Sequence, residues 1–455
     1  MTEREWPSPG IEADVPAIEC PNAVISWLER LGHDVHHIVQ TVAHHGGGIW
    51  IVGGAVRDAC LGLEVHDIDF AVSLTPERML ELFPDAIPTG IDYGTVSLRG
   101  DGVLYEATTL RTERNYGDGR RPEEVNWGVS LAEDLERRDF TINAMAIDLS
   151  RKVMHDPHHG LVDMERGMIR AVGQAYRRIG EDGLRILRAY RFLDRGEAGV
   201  WKFDLELEEA LRQNQTMLNA VTSERVWMEW HKILQGSNAA DVIQRMAHDH
   251  VLDRFLPGKW AGQHRLLASL HHPFIRDFDG LTRLAILLCE CFSIEVDEAL
   301  RNLKISTKQR TYIMDLHARF GTLPEPSKPA LRVFRAVLRE FSVLHLQMEI
   351  IIRTHDLSPS MGVENKSADD VYHLLELLEA LPELTAGTSP LVNGHWLMQR
   401  TALSKGQTLG RLKEWLHRLQ IERDLASIDE VESVLCTLLW DQENHLEWPK
   451  VQFPD

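Results

Sequence analysis

The chain has 455 residues, of which 44% are hydrophobic and 26% charged, and its formal net charge at pH 7 is −20. This length exceeds what one hydrophobic core usually supports, and it predicts two to four domains. So acidic a chain is not typical of a protein that binds nucleic acid over its whole surface, although it is compatible with one local basic groove.

The sequence carries no sign of export or membrane insertion. It has no run of about 18 uninterrupted apolar residues, which a membrane-spanning helix needs. Its acidic, proline-rich start differs from a signal peptide, in which basic residues precede an apolar stretch. The five cysteines are odd in number and form no paired CxxC arrangement, which favours a reduced compartment. We therefore predict a cytoplasmic protein without a membrane partner.

Strand and helix signals divide the chain into two parts. Residues 1–22 are a lead-in, and residues 23–175 mix helical stretches with short β-rich runs that Gly and Pro separate. The predicted strands are 49–53, 67–73, 94–98, 103–110, 145–149 and 168–172. From residue 176 onward Leu, Ile and Met recur at helical spacing, and strand signals nearly vanish. The pattern predicts an α+β protein: a head with a mixed β-sheet, then an all-helical remainder.

The first motif comes directly after a predicted buried strand, Ile49–Val52. Gly53 and Gly54 end this strand, and because they lack side chains the backbone there can approach a polyphosphate. The helix that begins next presents its N-terminus to the same place, and Arg57 can neutralise phosphate charge. The segment is therefore a candidate triphosphate-binding site.

A pair of carboxylates completes this motif. Asp67 and Asp69 lie on the next predicted strand, where residues two apart point to the same side. Hard anionic oxygens beside a phosphate site suit Mg²⁺ ions that join the α-phosphate to an attacking 3′-oxygen. We predict magnesium-dependent phosphoryl or nucleotidyl transfer. Glu106, on a strand that can pair beside them, is either a third catalytic carboxylate or an ordinary strand-face glutamate.

The second motif is RRDFTIN, residues 137–143. If this segment is helical, Asp139 and Asn143 are four residues apart on one face, where a carboxylate and an amide can hold a ribose hydroxyl and a phosphate. The arginine pair that precedes them, which includes Arg138, is by itself a weak signal, since arginine-rich helix starts are common.

Residues 155–167, HDPHHGLVDMERG, combine three histidines with two aspartates. A zinc site needs convergent ligands at defined spacing, and none is evident. Asp156, Pro157 and Gly160 indicate a turn, and Asp163 is expected to cap the next element of the chain. We interpret the segment as a structural hinge rather than a metal site.

The fourth motif is EDGLR, residues 181–185. Asp182 and Arg185 would be neighbours on one helical face, where a carboxylate acceptor and a guanidinium donor can match the edge of a base. The same pair can equally be a surface salt bridge without functional meaning. Gly183 inside this helix would lower helix stability by about 0.5–1 kcal/mol. Further on, Ser223 is a candidate N-cap of a helix.

Together these motifs resemble the class II tRNA nucleotidyltransferases, the CCA-adding enzymes of the polymerase-beta-like nucleotidyltransferase superfamily, a family that includes bacterial poly(A) polymerases. The resemblance is strong over residues 23–235 and weaker over 390–425. It implies a polymerase-beta-like head followed by helical neck, body and tail domains, here residues 176–250, 251–390 and 391–455.

The resemblance implies roles for the head residues. Asp67 and Asp69 would hold the metal ions, with Glu106 as a candidate third catalytic carboxylate. Asp139 would contact the 2′-hydroxyl and select ribonucleotides. The implied nucleotide-binding residues are Gly53, Gly54, Arg57, Arg138, Asp139, Asn143, Asp182, Arg185 and Arg188.

In the neck, Asp182 and Arg185 would form a protein template that selects C and then A, and Arg188 would contact the triphosphate. Ser223–Arg225 with Glu229 resemble a neck motif that supports the templating helix.

Two further segments resemble parts of the family outside these motifs. Residues 110–127 predict a mobile charged loop, similar to the one that switches the family from adding C to adding A. Lys405 and Gly406 lie in a segment that resembles the tail signature, where they would meet the tRNA backbone.

The predicted activity is addition of CCA, or of its terminal A, to the 3′ end of tRNA from CTP and ATP, by metal-dependent nucleotidyl transfer without a nucleic-acid template. An A-only-adding enzyme stays open, because it shares the motifs and the loop, and the acidic ends disfavour a poly(A) polymerase. A noncatalytic RNA-binding protein is disfavoured because Asp67, Asp69 and Arg185 are all present. The glycines do not match the GxGxxG spacing of dinucleotide-binding domains. The sequence indicates no protein partner.

Overall fold

The structure is a computed structural model and describes residues 6–116, 122–128, 130–360, 362, 365–441 and 444–454. The chain divides into two units, Met1–Arg254 and Phe255–Asp455. Strands occur in the first unit, and the described part of the second unit is helical. The α+β class predicted from the sequence is confirmed.

The strands of the first unit are short. Their bounds are β1 (Ile18–Glu19), β2 (Ile49–Val52), β3 (Asp69–Val72), β4 (Ile87–Gly90), β5 (Thr95–Arg99), β6 (Leu104–Thr109), β7 (Arg111–Tyr116), β8 (Pro122–Trp127), β9 (Ala146–Asp148), β10 (Val153–His155), β11 (Met168–Ile169) and β12 (Lys202–Phe203). Over the described ranges, eight of them form one mixed sheet in the order β1-β10-β9-β2-β3-β6-β5-β4. The pair β3–β6 is parallel, and the neighbouring pairs are antiparallel.

Strand β2 lies inside the sheet because its sequence, IWIV, is apolar on both faces and every residue is buried. Trp50 and Val52 pack with Ala71, Leu110 and other apolar residues into one core. The sheet therefore fixes the ends of β2 and β3, where the glycines and carboxylates of the first motif lie.

The helices of the first unit surround this sheet and continue beyond it. Their bounds are α1 (Asn22–Leu28), α2 (His33–His44), α3 (Gly54–Cys60), α4 (Pro76–Leu82), α5 (Leu131–Glu136), α6 (Gly160–Glu165), α7 (Ala175–Glu181), α8 (Leu184–Leu193), α9 (Leu205–Gln213), α10 (Ser223–Leu234) and α11 (Ala239–His248). Thr75, Ser130 and Asp204 cap α4, α5 and α9 by accepting a backbone N–H bond. The prediction of Ser223 as an N-cap is wrong, since α10 begins at Ser223 and Thr222 precedes it.

The second unit contains α12 (His264–Ser269), α13 (Gly280–Leu287), α14 (Ser293–Asn302), α15 (Thr307–His317), α16 (Lys328–Leu338), α17 (Phe341–Thr354), α18 (Ala368–Glu379), α19 (Gly394–Thr401), α20 (Gln407–Arg423) and α21 (Ile428–Thr437). One apolar core joins α16, α17 and α18, and another joins α19, α20 and α21. Within the described ranges, no helix has the length and hydropathy needed to cross a bilayer. The predicted division at residues 176–250, 251–390 and 391–455 stays a prediction.

Several local predictions differ from the structure. Strand β3 begins at Asp69, so Asp67 lies in the preceding loop rather than on the strand. The segment predicted as a loop over 110–127 forms the antiparallel pair β7–β8, and its residues 117–121 lie outside the described ranges. The position of Asp163 also differs from expectation. Asp163 lies inside α6 and accepts the Thr141 hydroxyl at 2.8 Å, while Asp156 accepts the backbone N–H of Gly160, the first residue of α6, at 2.7 Å.

Candidate active site

A cavity of about 600 Å³ in the first unit gathers most of the predicted site residues. Arginines and aspartates predominate among its lining residues, which suits a polyphosphate accompanied by cations. From the predicted set, the lining includes Gly53, Gly54, Arg57, Asp67, Asp69, Arg138, Asp139, Asn143, Asp182, Arg185 and Arg188. Glu106 is not among the lining residues, and Lys405 and Gly406 belong to the second unit.

Gly53 connects β2 to α3 through a backbone conformation that favours glycine. Its φ is +72°, and an added Cβ would lie 3.3 Å from Nη1 of Arg138. Residue Val52, just before it, pairs with Asp69 across the antiparallel β2–β3 ladder. The sheet therefore brings the glycine turn and one carboxylate together although 16 residues separate them along the chain.

The carboxylates lie at the adjoining strand ends. Asp69 begins β3 and pairs in register with Glu106 of the parallel strand β6, while Asp67 is exposed in the loop before β3. Burial raises the pKa of Asp69, and the negative charges of Glu106 and Asp67 raise it further. A divalent cation would relieve this crowding of negative charge.

The residues present suit a magnesium ion that is also held by phosphate and water, and not an ion held by protein ligands alone. Mg²⁺ is commonly held by one or two carboxylates together with phosphate oxygens and water, and Asp67 and Asp69 supply such a pair. Among the described residues, no group of three or more His, Cys, Asp or Glu side chains is arranged as a metal site.

Asp139 is the buried anionic centre of the cavity wall. Its carboxylate accepts the backbone N–H of Phe140 at 2.8 Å, the Asn143 amide at 3.2 Å and Arg188 Nε at 2.7 Å. Burial alone would raise the pKa of Asp139, but the charge of Arg188 and these hydrogen bonds lower it to about 2. The carboxylate is therefore ionised at neutral pH, and Nη2 of Arg188 makes a fourth contact with it, 2.6 Å from Oδ2.

The geometry around Asp139 is not the helical face expected from the sequence. Phe140 forms an isolated β-bridge with Ala171, and Thr141–Asn143 make a single turn of 3₁₀ helix. This turn still brings Asn143 to Asp139, because a 3₁₀ turn folds back over a short distance. Asp139 and Asn143 are therefore in contact as expected, but through a 3₁₀ turn and not through an α-helix.

Arg57 is fixed by two partners that also line the cavity. Its guanidinium makes two bonds to Asp58, at 2.8 and 2.9 Å, and donates to Oδ1 of Asn143 at 2.7 Å. Arg138 is fixed by Asp134, whose carboxylate receives its Nη2 at 3.0 Å. Since aspartates already orient both guanidiniums, the cationic groups are preorganised for an anion.

The EDGLR segment forms two separate ion pairs. Asp182 ends α7 in an extended conformation and receives Arg225 Nη2 at 2.6 Å. Arg185, in the first turn of α8, donates to Glu181 at 2.6 Å. The i,i+3 salt bridge between Asp182 and Arg185 that the sequence suggested is absent from the described contacts, because Asp182 is not on the helix.

Gly183 separates α7 from α8 and does not lie inside a helix as expected. It precedes the first residue of α8 with an ordinary φ of −58°. A Cβ built on it would lie 2.3 Å from the carbonyl oxygen of Met217. Close approach of two backbones therefore explains the glycine, and a helix-interior penalty does not apply.

Helix α8 presents a stripe of arginines to the cavity. Arg185, Arg188 and Arg191 recur every three residues and so share one face. On α10, Glu229 is buried and lies 3.0 Å from Arg191 and 3.8 Å from Arg188. Helix α10 thus contributes a counter-charge that holds this stripe.

Comparison with known proteins identifies the family. Residues 49–170 match the Poly A polymerase head domain, and residues 202–261 match the probable RNA and SrmB-binding site of polymerase A. The CCA-adding enzyme of Leuconostoc mesenteroides is 41% identical over 85% of this chain and 92% of its own length. The chain belongs to the family of CCA-adding enzymes and poly(A) polymerases.

Other relatives agree with this assignment. The CCA-adding enzyme of Ligilactobacillus salivarius is 41% identical over 48% of this chain, an alignment that spans 53% of that relative. The solved structure of the Bacillus stearothermophilus CCA-adding enzyme in complex with CTP is similar over 92% of this chain and 99% of that chain, with a TM-score of 0.67 and 26% identity. The chain is a nucleotidyltransferase, a type of enzyme that in this family is generally metal-dependent.

Two residues that line the cavity, Arg191 and Phe192, were not among those selected from the sequence. They continue the arginine-rich run of α8, and the three-residue spacing after Arg188 is the signal that could have identified Arg191. Arg225 lies in the segment that the resemblance gave as support for the templating helix, but its pairing with Asp182, 43 residues earlier in the chain, was not predicted. Contacts over such a distance arise from packing and have no local pattern.

Proposed function

We propose that this chain adds CCA to the 3′ end of tRNA from CTP and ATP, without a nucleic-acid template. The observation that carries the proposal is the cavity in which the carboxylates Asp67 and Asp69, the arginine stripe of α8 and the Asp182 carboxylate all meet. A nucleotidyl transfer requires a metal-binding group, a triphosphate site and a base-reading group close together.

The triphosphate is the first part of the substrate that the cavity suits. Arg57 and Arg188 line it with oriented guanidiniums, and the turn at Gly53 and Gly54 exposes backbone at the start of α3. These groups neutralise the phosphates and align the α-phosphate for attack by the terminal 3′-hydroxyl of tRNA. The same charges stabilise the pyrophosphate that leaves.

The sugar and the base are read by other walls of the cavity. Asp139 accepts the 2′-hydroxyl of the incoming nucleotide and so favours ribonucleotides, and Asn143 holds its carboxylate in place. Asp182 and Arg185 offer an acceptor and a donor to the base edge, which takes the place of a template strand. Arg225 and Glu181 orient these two side chains.

The metal is proposed to be Mg²⁺, held by Asp67 and Asp69. Glu106, on the paired strand β6, adds negative charge beside Asp69. When bound, Mg²⁺ lowers the pKa of an attacking hydroxyl and neutralises charge on the phosphate. The contribution of the chain is to hold two carboxylate oxygens beside the arginines of the triphosphate site.

The second unit is proposed to hold tRNA. Lys405 and Gly406 are exposed immediately before α20, a 17-residue helix whose N-terminus presents unpaired N–H groups. Such helix ends bind phosphate, and the charge of Lys405 adds to the attraction. The proposed division is a head at 23–175, a neck at 176–250, a body at 251–390 and a tail at 391–455. A cytoplasmic location is also proposed, supported by five cysteines that are free.

The experiment is nucleotide incorporation by the full chain with Mg²⁺ and tRNAs that end in the discriminator base, in C or in CC. CCA addition extends all three tRNAs to the same final length when CTP and ATP are both present. Extension of the CC-ending tRNA alone would assign A-only addition, and long A tracts on unrelated RNA would assign polyadenylation.

A further inference from the structure

Phe192, on α8, lies at the centre of the cationic wall of the cavity. The guanidinium carbons of Arg191, Arg57 and Arg188 lie 4.5, 5.2 and 5.4 Å from the centroid of its ring. Each distance is within the range of a cation–π contact, about 6 Å. One aromatic ring therefore contacts three cations that come from two helices, and all four side chains line the cavity.

These three arginines repel each other in the absence of substrate. Burial lowers the pKa of Arg191 to about 10, and the positive charges of Arg188 and Arg57 contribute to this shift. Carboxylates balance part of the charge: Asp58 pairs with Arg57, Asp139 with Arg188, and Glu229 with Arg191. Asp58 also pairs with Arg195 at 3.1 Å, and Glu229 lies 3.8 Å from Arg188, but the ring of Phe192 is the contact common to all three arginines.

The ring is held rigidly. Phe192 is 6% exposed, and its ring meets Phe140 edge-on at a centroid distance of 5.7 Å. Phe140 in turn neighbours Asp139 in the chain and is fully buried. The face that the arginines contact is thereby fixed relative to the motif that reads the sugar.

We propose that Phe192 is a positioning residue for the triphosphate: its ring holds Arg57, Arg188 and Arg191 at the spacing that polyphosphate oxygens require. Aromatic quadrupole attraction offsets the repulsion between the guanidiniums, so the cationic wall is assembled before the substrate arrives. The identity of the substrate rests on the proposed function, whereas the inference itself concerns the binding of polyphosphate.

The test uses the full chain and compares Phe192→Leu, which keeps an apolar side chain without a quadrupole, with Phe192→Tyr, which keeps the aromatic face. Calorimetric titration measures binding of inorganic tripolyphosphate, CTP and CMP. Phe192→Leu should weaken tripolyphosphate and CTP binding by about tenfold, the size of one or two cation–π contacts, and CMP binding by less. Phe192→Tyr should bind all three like wild type.

Phe203→Leu is the matched control. Phe203 is 7% exposed, its ring meets Tyr190 edge-on at 5.2 Å, and Arg245 lies 5.6 Å from its centroid. It lines a different cavity, so its substitution should lower Tm without weakening tripolyphosphate binding. Thermal unfolding of all variants measures the structural contribution.

Unchanged tripolyphosphate binding by Phe192→Leu overturns the inference, and so does equal weakening in Phe192→Tyr or Phe203→Leu, which would show a packing role only. Incorporation into tRNA is assayed separately. A wild type that binds tripolyphosphate but extends no tRNA contradicts the proposed function, while the comparison of variants still decides the role of Phe192.

Discussion

The carboxylate of Asp182 is held by Arg225, whose Nη2 lies 2.6 Å from Oδ2. The two residues come from different helices: Asp182 ends α7, and Arg225 lies in the first turn of α10. Asp182 also accepts the N–H of Leu184 at 3.0 Å. Its orientation in the cavity therefore depends on α10 as well as on its own segment.

Asp182→Ala should change which nucleotides are incorporated. Loss of the carboxylate removes one hydrogen bond to the base edge, so U and G should enter more often relative to C and A. The lost discrimination should be about 1–3 kcal/mol. Arg225→Ala should act in the same direction with a smaller effect, because Asp182 remains but loses its main partner. The measurement is relative incorporation of the four ribonucleotides.

Arg212→Ala provides the control for these variants. Arg212 pairs with Glu209 at 2.7 Å on an exposed surface of the same unit. Its loss should leave nucleotide ranking unchanged and alter stability by less than about 1 kcal/mol. An unaltered ranking in Asp182→Ala, with good activity, would refute base reading by this residue.

Asp67→Ala and Asp69→Ala should abolish incorporation while the chain stays folded. Each substitution would remove a carboxylate of the proposed metal site, which should cost several kcal/mol of transition-state stabilisation. Glu106→Ala should lower the rate by about tenfold or more, since Glu106 shapes the charge on Asp69. Glu77→Ala, on the exposed side of α4, is the control and should have no effect. Residual activity of Asp67→Ala or Asp69→Ala within about tenfold of wild type would contradict the metal assignment.

Asp139→Ala should relax the choice of sugar. Without its carboxylate the 2′-hydroxyl loses an acceptor, so deoxynucleotides should compete better against ribonucleotides. Ratios of incorporation from paired ribo- and deoxynucleotides measure the effect. A ratio equal to that of wild type would mean that another group reads the sugar.

The same residue should make stability depend on pH. The pKa of Asp139 is about 2 in the folded chain, below its value of about 4 in an unfolded chain. A carboxyl with a lowered folded pKa stabilises the fold above the unfolded value, and this stabilisation is lost as pH falls through the folded value. Wild type should therefore exceed Asp139→Asn in free energy of unfolding by about 2 kcal/mol at pH 7. Urea titrations should show the difference shrinking between about pH 4 and pH 2; a constant difference would contradict the assignment.

Gly183→Ala should destabilise the junction of α7 and α8. The added Cβ would lie 2.3 Å from the carbonyl oxygen of Met217, a backbone atom that cannot move without shifting the 3₁₀ turn Gln215–Ala220. We expect a loss of about 1–3 kcal/mol in free energy of unfolding. Gly180→Ala is the matched control, because its Cβ would find only Asn214 Oδ1 at 3.9 Å. As alanine favours helix, this control should be neutral or stabilising, and equal losses in both variants would contradict the backbone clash.

The part of the site that could be predicted from the sequence is the part whose functional residues follow each other in one short segment. The apolar run of β2, the glycine turn and Asp69 could be placed because strand, turn and carboxylate succeed each other within one short segment. Asp182 could be selected, and the resemblance gave Ser223–Arg225 as support for its helix, but the pairing of Arg225 with Asp182 could not be predicted, since it arises from the packing of α10. The helical face assumed for Asp139 and Asn143 was wrong because Phe140 pairs with Ala171, a contact that a local pattern does not contain.

The pairing of Val52 with Asp69 and of Asp69 with Glu106 has a further consequence. A slip of one residue in either ladder would turn Asp69 to the opposite face of the sheet. Asp69 can therefore leave the cavity only when the central strands separate, and their separation requires unfolding of the core around Trp50. We expect the amide protons of β2 and β3 to exchange with solvent at the rate of global unfolding of the first unit. The enzyme would then have no partly unfolded form that keeps its core but has lost Asp69 from the cavity.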